Sequence, residues 1–371
     1  MGQDYEILTD FNGFDKERPW KSHKTNSQLL SESYGRISEK YKGTFWSNRS
    51  ENVNYCGSSL KFSACPHGHE KNLKWANFCR IRMCPMCSWR KSLLNAYNLK
   101  RVAHEAVQQR KMRFLFLTLT VENCTGEDLA ETVSHLMKSW DRFSKRKQFQ
   151  KLILGWFRSL EVTRNYDDGK FHPHFHVLLA VSPSYFSHGY IKTDEWVKLW
   201  QKSLQVDYTP IVDIRTVKNK RNKEKEQSLL VEKGIEETEL SGGAIAELAK
   251  YTTKADDFLV YNRRKSIQKG KEVLYIPDVS SGIDEEKTDE VVFILDTSLA
   301  RRRLIAYGGE LKKALISLEE QGKIQDSEDD DADLVHVDNE DKNCKCSVCQ
   351  SDMLEELYSW IPSVKNYLKK E

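Results

Sequence analysis

The chain of 371 residues is 39% apolar and 11% aromatic, enough for a sizeable core and long enough for two domains or one large domain with appendages. No apolar run approaches a membrane span, and the opening MGQDYEILTDF has no basic segment followed by an apolar stretch, so membrane and secreted classes are set aside and a cytoplasmic protein is expected. The net charge of +3 conceals an asymmetry: Asp326 to Asp341 hold nine acidic side chains and no Lys or Arg, and without them the charge is +12. Such a surplus suits a polyanionic partner, although a solvated surface has a similar composition.

Residues 1 to about 50 are polar and weakly periodic, and read as an irregular arm. A cysteine cluster follows: Cys56, Cys65, Cys79, Cys84 and Cys87. Nine cysteines in all is an odd number, and the CPMC spacing lets two thiolates grip one ion, so metal is favoured over disulfides. Cys56, Cys79, Cys84 and Cys87 are expected to hold a structural Zn²⁺, with Cys65, His67 or His69 as substitutes. A redox pair is the alternative reading of CxxC. From Lys71 to Arg113 there are eleven Lys or Arg against the single acid Glu105, with Trp75, Trp89 and Tyr97 interleaved. Cations contact phosphates and aromatic faces stack on unpaired bases, which makes Arg80, Arg82, Trp89, Arg90 and Lys91 candidate DNA contacts. The plainer reading of Ser88 to Arg110 is a basic amphipathic helix packed on the zinc module.

Phe114 to Val121 (FLFLTLTV) alternates as a strand does. Thr125, with Asp128 three residues on, signals a helix start, and Leu129, Val133, Leu136, Trp140 and Phe143 recur at helical spacing. Ile153 to Arg164 returns to strand, and Asp167-Asp168-Gly169 reads as a hairpin turn. The next strand is FHPHFHVLLAV, Phe171 to Val181. Its period of two turns His172, His174 and His176 to one face, and aligned imidazoles are costly to bury without a partner, which suggests a metal. A two-residue Asp168-Gly169 turn puts Glu161 opposite His176, making Glu161 a third ligand; His172 is near but not necessarily bound.

Thr193 then caps a helix carrying Trp196, Leu199, Trp200 and Leu204, Val206 to Val217 is strand-like, and Lys218 to Glu239 reads as a charged excursion. Ile245, Leu248, Ala249, Phe258 and Leu259 fit a helix on which Glu247 and Tyr251 stand at i, i+4. VVFILD (residues 291–296) and RRRLIAYGGELKKAL (301–315) suggest a further strand and helix, and CSVC near the C-terminus is a weaker zinc signal. The order β-α-β-β-α-β-α around an antiparallel sheet indicates an α/β (α+β) sandwich of the ferredoxin-like or RNA-recognition type with an N-terminal zinc-binding module.

Four stretches in this order, FCRIRMCPMCSWRKS, FLTLT, HPHFHVLL and ELAKY, with RRRLIAYGG beyond them, resemble the HUH endonucleases. The likeness is to the single-tyrosine initiators of rolling-circle plasmid replication. The resemblance implies that His174 and His176 are metal ligands for Mn²⁺ or Mg²⁺ and that Tyr251 is the nucleophile, with Tyr261 as fallback. Glu247 stands where related phage initiators carry a second tyrosine. Conjugative relaxases, by contrast, place their tyrosine ahead of the histidines. The implied activity is strand-specific nicking of double-stranded origin DNA at a single-stranded site, through a 5′-phosphotyrosine, with host helicase and DNA polymerase as partners. The implied layout is an arm (1–50), a cysteine-rich DNA-binding module (51–112), a nuclease domain (113–265), an extension packed on it (266–325) and an acidic tail with a cysteine cluster (326–371).

Two rivals remain. HPHFHVL also fits the pattern of histidine-triad nucleotide hydrolases, whose middle histidine is the nucleophile, although those domains need neither a zinc module nor a tyrosine helix. A zinc-dependent DNA-binding regulator whose histidines hold structural metal binds DNA without any covalent product.

Overall fold

The computed structural model describes residues 6–12, 16–217, 245, 248–249, 253–269, 272–329, 331–337 and 344–370. The helices are α1 (Trp20–Tyr41), α2 (Thr44–Tyr55), α3 (Pro85–Gln109), α4 (Leu129–Ser144), α5 (Lys147–Leu152), α6 (Tyr185–His188), α7 (Thr193–Leu204), α8 (Ala255–Phe258), α9 (Glu285–Leu299) and α10 (Gly309–Glu320). The first six strands are β1 (Ser59–Ala64), β2 (Lys71–Ala76), β3 (Arg113–Thr120), β4 (Ile153–Arg164), β5 (Phe171–Val181) and β6 (Val212–Thr216). They are followed by β7 (Arg264–Lys269), β8 (Glu272–Pro277), β9 (Ile305–Gly308), β10 (Leu354–Ile361) and β11 (Asn366–Lys369). The chain divides into two compact units, Met1–Leu94 with Phe258–Phe293 and Asp333–Glu371, and Asn95–Asp257 with Ile294–Ala332.

In the first unit an antiparallel sheet runs β11-β10-β1-β2, so two strands from the C-terminal end complete one that starts near residue 59. Residues 1–50, expected to be irregular, contain α1 and part of α2. The buried face of α1 explains the error: beside Trp20, Leu30, Tyr34 and Ile37 it buries Lys24, Ser27, Ser31 and Ser33, which dilutes the apolar period. Lys24 Nζ donates to the carbonyl oxygens of Asn54 (2.6 Å) and Cys56 (2.8 Å), so two of the three donors of the buried ammonium are engaged there. On α1, Arg36 makes a two-pronged contact with Asp289 at 2.8 and 2.9 Å.

The second unit is built on a five-stranded antiparallel sheet ordered β6-β3-β5-β4-β9. Alternation along β4 and β5 sends side chains to two apolar layers. One layer packs Trp140 and Phe143 of α4 with Phe175, Trp196 and Trp200, and Trp200 Nε1 donates to the Thr120 carbonyl at 2.8 Å. The other gathers Leu99, Val102 and Ala106 of α3, Phe114, Phe157, Leu178, Ala180, Ile245 and Leu248, and Leu311 and Leu315 of α10. This second layer is continuous with the face that carries the histidines.

Local expectations fail where a neighbour overrides them. VVFILD is helical within α9, with Val291, Val292, Leu295 and Leu299 buried on one face, whereas its β-branched run suggested a strand. The fifth strand instead comes from IAYG, beside β4. Of Val206–Val217 only Val212–Thr216 is strand. Asp128 holds the N-cap position of α4 while Thr125 Oγ1 donates to its carboxylate at 2.7 Å, and Lys192, not Thr193, precedes the first turn of α7.

Strand β9 ends on Gly308 and α10 opens on Gly309, and the backbone of both lies against β4. Gly309 sits at φ +59°, and a Cβ there would run into the carbonyl oxygen of Leu154; Gly155 faces it across an antiparallel bridge. Gly309→Ala is predicted to destabilise the protein by about 1–3 kcal/mol, since left-handed strain and the backbone clash act together. Urea unfolding of the two proteins, compared by midpoint and slope, measures this.

Candidate functional site

Strand β5 lies between β3 and β4, so its lower half is Leu178–Val181 core and its upper half presents His172, His174 and His176 on one face. The hairpin loop is longer than the two residues expected. Asn165 Oδ1 accepts from the Asp167 N–H (2.8 Å), and Asn165 N–H donates to the Lys170 carbonyl (2.8 Å), which starts the turn two residues early. Arg164 therefore pairs with Phe171, and Glu161 stands opposite His174 instead of His176. The shift is an even number of residues, so the face is preserved. Glu161 Oε2 still reaches both rings, at 2.8 Å from His176 Nε2 and 3.3 Å from His174 Nε2.

All three residues are buried and their ligand atoms cluster, with the two Nε2 atoms 3.1 Å apart. Three donors at about 2.1 Å from one ion and at right angles would stand about 3 Å from each other, which the observed separations match. The rings are also held for that role. His174 Nδ1 donates to the His172 carbonyl at 3.0 Å, which turns Nε2 toward the cluster, and His176 Nδ1 is 3.4 Å from Thr118 Oγ1. His172 points elsewhere, with Nδ1 2.7 Å from Asn123 Oδ1, and burial followed by the neighbouring His174 pushes its pKa down to about 4.

Burial opposes ionisation of Glu161, but hydrogen bonds from His174, His176 and Lys254 outweigh it and hold the carboxyl well below the ordinary carboxylate range. Lys254 Nζ lies 2.6 Å from Glu161 Oε1. No spacing in the amino-acid sequence singles out this lysine as a site residue. Its backbone N–H donates to Asp257 Oδ2 at 2.7 Å, and burial raises the Asp257 carboxyl to about 6. Tyr166 Oη donates to the Asp256 carbonyl, a second tie between this segment and the hairpin.

In the first unit Cys56, Cys79, Cys84 and Cys87 converge, with Cys56 Sγ 3.4 Å and Cys79 Sγ 3.7 Å from Cys87 Sγ. Four sulfurs about 2.3 Å from one tetrahedral ion stand about 3.7 Å apart. The N–H groups of Cys79 and Arg80 donate to Cys56 Sγ (3.3 Å) and Cys87 Sγ (3.2 Å), which stabilises thiolate charge.

A family profile described as replication protein matches residues 70–368. The "Protein rep" of Bacillus amyloliquefaciens is 35% identical over 99% of this chain and 98% of its own length. The "Protein rep" of Streptococcus pneumoniae serotype 2 is 35% identical over 89% of this chain and 90% of its own. A "Replication protein" of Staphylococcus aureus is 30% identical over 73% and 97%. The chain belongs to the replication protein (Rep) family. No solved structure matches it.

Two of the expected DNA contacts of this Rep chain are committed to its interior. Trp89 is buried edge-on to Trp20 (4.7 Å between centroids) and stacked on His23 (5.0 Å). Arg90 is 1% exposed, and its guanidinium donates to the carbonyls of Leu334 (2.8 Å) and Val335 (2.6 Å). Both residues are thus corrected from DNA contacts to packing residues: the start of α3 is a buried helix face, and a buried cation needs local acceptors. Arg80 is exposed, and Arg82 and Lys91 are half-buried. Tyr251 and Glu247 lie outside the described residues, as does the excursion at 218–239. Tyr261 belongs to the first unit, in a bridge with Ile283. Among the described residues no helix is long and apolar enough to cross a membrane.

Glu161→Gln is predicted to weaken divalent-ion binding at least about tenfold, because the anionic donor and its pairing with both rings are lost together. Calorimetric titration of the full chain with Mn²⁺ reads this directly, and an unchanged affinity would remove Glu161 from the ligand set.

Proposed function

We propose that this Rep chain is a plasmid replication initiator that nicks one strand of its double-strand origin by the single-tyrosine HUH mechanism. The observation that carries the proposal is the convergence of Glu161, His174 and His176 with Lys254, a residue only three positions beyond Tyr251. The described neighbours of Tyr251 in the chain support it further: Ile245 and Leu248 sit in the core of the same unit, and Thr253 is buried. The spatial strand order β6-β3-β5-β4, with helices in the β3–β4 and β5–β6 connections and a hairpin between β4 and β5, supports the ferredoxin-like HUH reading of the sheet.

His174, His176 and Glu161 would hold the cation, Mn²⁺ or Mg²⁺. When bound, such an ion supplies Lewis-acid polarisation of the scissile phosphate. Lys254 holds the Glu161 carboxylate in place and adds a positive charge where the polyanion must enter. A tyrosine hydroxyl, with its ordinary pKa of about 10, requires such surroundings to attack. The Tyr251 oxygen forms a bond to phosphorus and loses its proton; the bond to the 3′ oxygen breaks, and that oxygen leaves as a protonated 3′-OH. The 5′ side stays joined to the enzyme as a phosphotyrosine, so the bond energy is retained for rejoining. The freed 3′ end primes host DNA polymerase, with a host helicase opening the duplex, in the cytoplasm. Glu247 is proposed as general base for a water that ends the cycle by hydrolysis.

Division of labour follows the chain. The nuclease chemistry belongs to the unit containing β3–β6. Origin binding is assigned to the basic, cysteine-rich module, where Zn²⁺ at Cys56, Cys79, Cys84 and Cys87 supports the fold, and Arg80, Arg82 and Lys91 remain its candidate phosphate contacts. The convergence of two Nε2 atoms and a carboxylate on one point favours ion binding over a histidine nucleophile.

Tyr251→Phe is predicted to lose both nicking of labelled single-stranded origin DNA and the denaturation-resistant adduct; a surviving adduct would exclude Tyr251 as nucleophile. His174→Ala with His176→Ala should abolish nicking while leaving retention of duplex origin DNA in a gel-shift assay nearly unchanged. Glu247→Ala should still nick but release less enzyme after one round, measured as accumulation of covalent complex.

A further inference from the structure

A second group of metal-type donors is present in the first unit, built from the two ends of the chain. Cys65 and His69 lie in the turn between β1 and β2, and Cys346 and Cys349 lie in the CSVC turn that precedes β10. Cys65 Sγ is 3.5 Å from Cys349 Sγ and 3.6 Å from His69 Nδ1, and Cys346 Sγ is 3.8 Å from the same nitrogen. We propose that Cys65, His69, Cys346 and Cys349 bind a second zinc ion, separate from that of Cys56, Cys79, Cys84 and Cys87.

Three thiolates and one imidazole are a donor set selective for zinc over hard cations. All four ligand atoms lie within 4.8 Å of one another, and the three separations of 3.5, 3.6 and 3.8 Å match the edges of about 3.7 Å around a tetrahedral ion. A disulfide is the alternative use of the thiols. The Cys65–Cys349 separation is well beyond a bonded pair of about 2.05 Å, and a disulfide would leave Cys346 and His69 facing it without purpose.

Both turns have the backbone that ligation requires. On one side Cys65 N–H donates to the Glu70 carbonyl (2.8 Å), Gly68 N–H to the Cys65 carbonyl (2.9 Å) and His67 N–H to Cys65 Sγ (3.4 Å). On the other, Cys346 N–H donates to the Ser351 carbonyl and Gln350 N–H to the Cys346 carbonyl, both at 2.9 Å. Gly68 (φ +75°) and Gln350 (φ +59°) take the left-handed conformation that doubles each turn back on itself. Glu70 joins the turns, accepting from Ser347 N–H at 3.1 Å and from the Ser347 hydroxyl.

The position explains what the ion does. The β1–β10 ladder ends at the pair Ala64–Leu354, so the four donors stand immediately beyond that end. Cys65 and Cys349 are 284 residues apart in the chain, and closing so long a loop carries an entropic cost that the first sheet must meet. Zinc binding is folding free energy at such a site, and here it locks β10 and β11 onto β1.

The test uses the full chain in a His174→Ala, His176→Ala background, so that zinc cannot occupy that triad. Plasma mass spectrometry should find two zinc ions per chain, falling to one in Cys346→Ser with Cys349→Ser. His69→Cys should retain both. In cobalt(II) titration of metal-stripped protein, two equivalents should develop sulfur-to-metal charge-transfer bands, and His69→Cys should shift one spectrum towards that of an all-sulfur site. If the serine variant fails to fold, stoichiometry and cobalt spectra of the unsubstituted cysteine framework decide: two thiolate-bound ions support the proposal and one overturns it. Unchanged zinc in a folded serine variant also overturns it.

Discussion

The pairing of β5 on both edges is the constraint on which the rest of the second unit depends. Because β3 and β4 fix its register from either side, its side chains have no freedom to change face. Leu178 and Ala180 enter the core layer with α3 and α10, and the same alternation carries His174 and His176 onto the face where Glu161 arrives from β4. The histidines are therefore held by the stability of the apolar half of their own strand. A site on two paired strands is more rigid than one on loops, which suits chemistry that needs donors positioned to within fractions of an ångström.

Charge is buried on this sheet in two different ways. Glu161 is satisfied by His174, His176 and Lys254, groups that a cation would join or displace. Arg158, three residues earlier and on the opposite face, lies over the rings of Phe175 and Trp140, and burial lowers its pKa to about 10. One strand thus carries an acid to a ligand cluster and a cation into an aromatic layer. The first arrangement is open to exchange because a cation could take the place of a partner. The second is structural because its partners are fixed by packing.

The first unit solves a different problem. Its sheet is short and half its strands come from the far end of the chain, so its pairing has to be held across a long loop. Sulfur-rich clusters, the buried Lys24 on the carbonyls of Asn54 and Cys56, and Arg90 on the carbonyls of Leu334 and Val335 act as point fasteners between distant segments. The basic composition that drew attention to this region is partly consumed by this internal work. Composition counts charges but does not say which of them face water.

The amino-acid sequence by itself determined the elements with clean periodicity: β4 at Ile153–Arg164, β5 at Phe171–Val181, the apolar stripe of α4, and the grouping of His174, His176 and Glu161 on one face. Period-two and period-3.6 patterns are local, and face parity survives an even register error. Tertiary structure alone decided the remainder. It paired Glu161 with His174 because Asn165 opened the turn early, made VVFILD a helix, and recruited IAYG as a fifth strand against Trp156–Ser159. It brought Lys254 to Glu161, turned Trp89 and Arg90 inward, and set Cys346 and Cys349 beside Cys65 across 284 residues of chain. Each of these depends on what a distant segment offers in space, and no spacing along the chain encodes that partner.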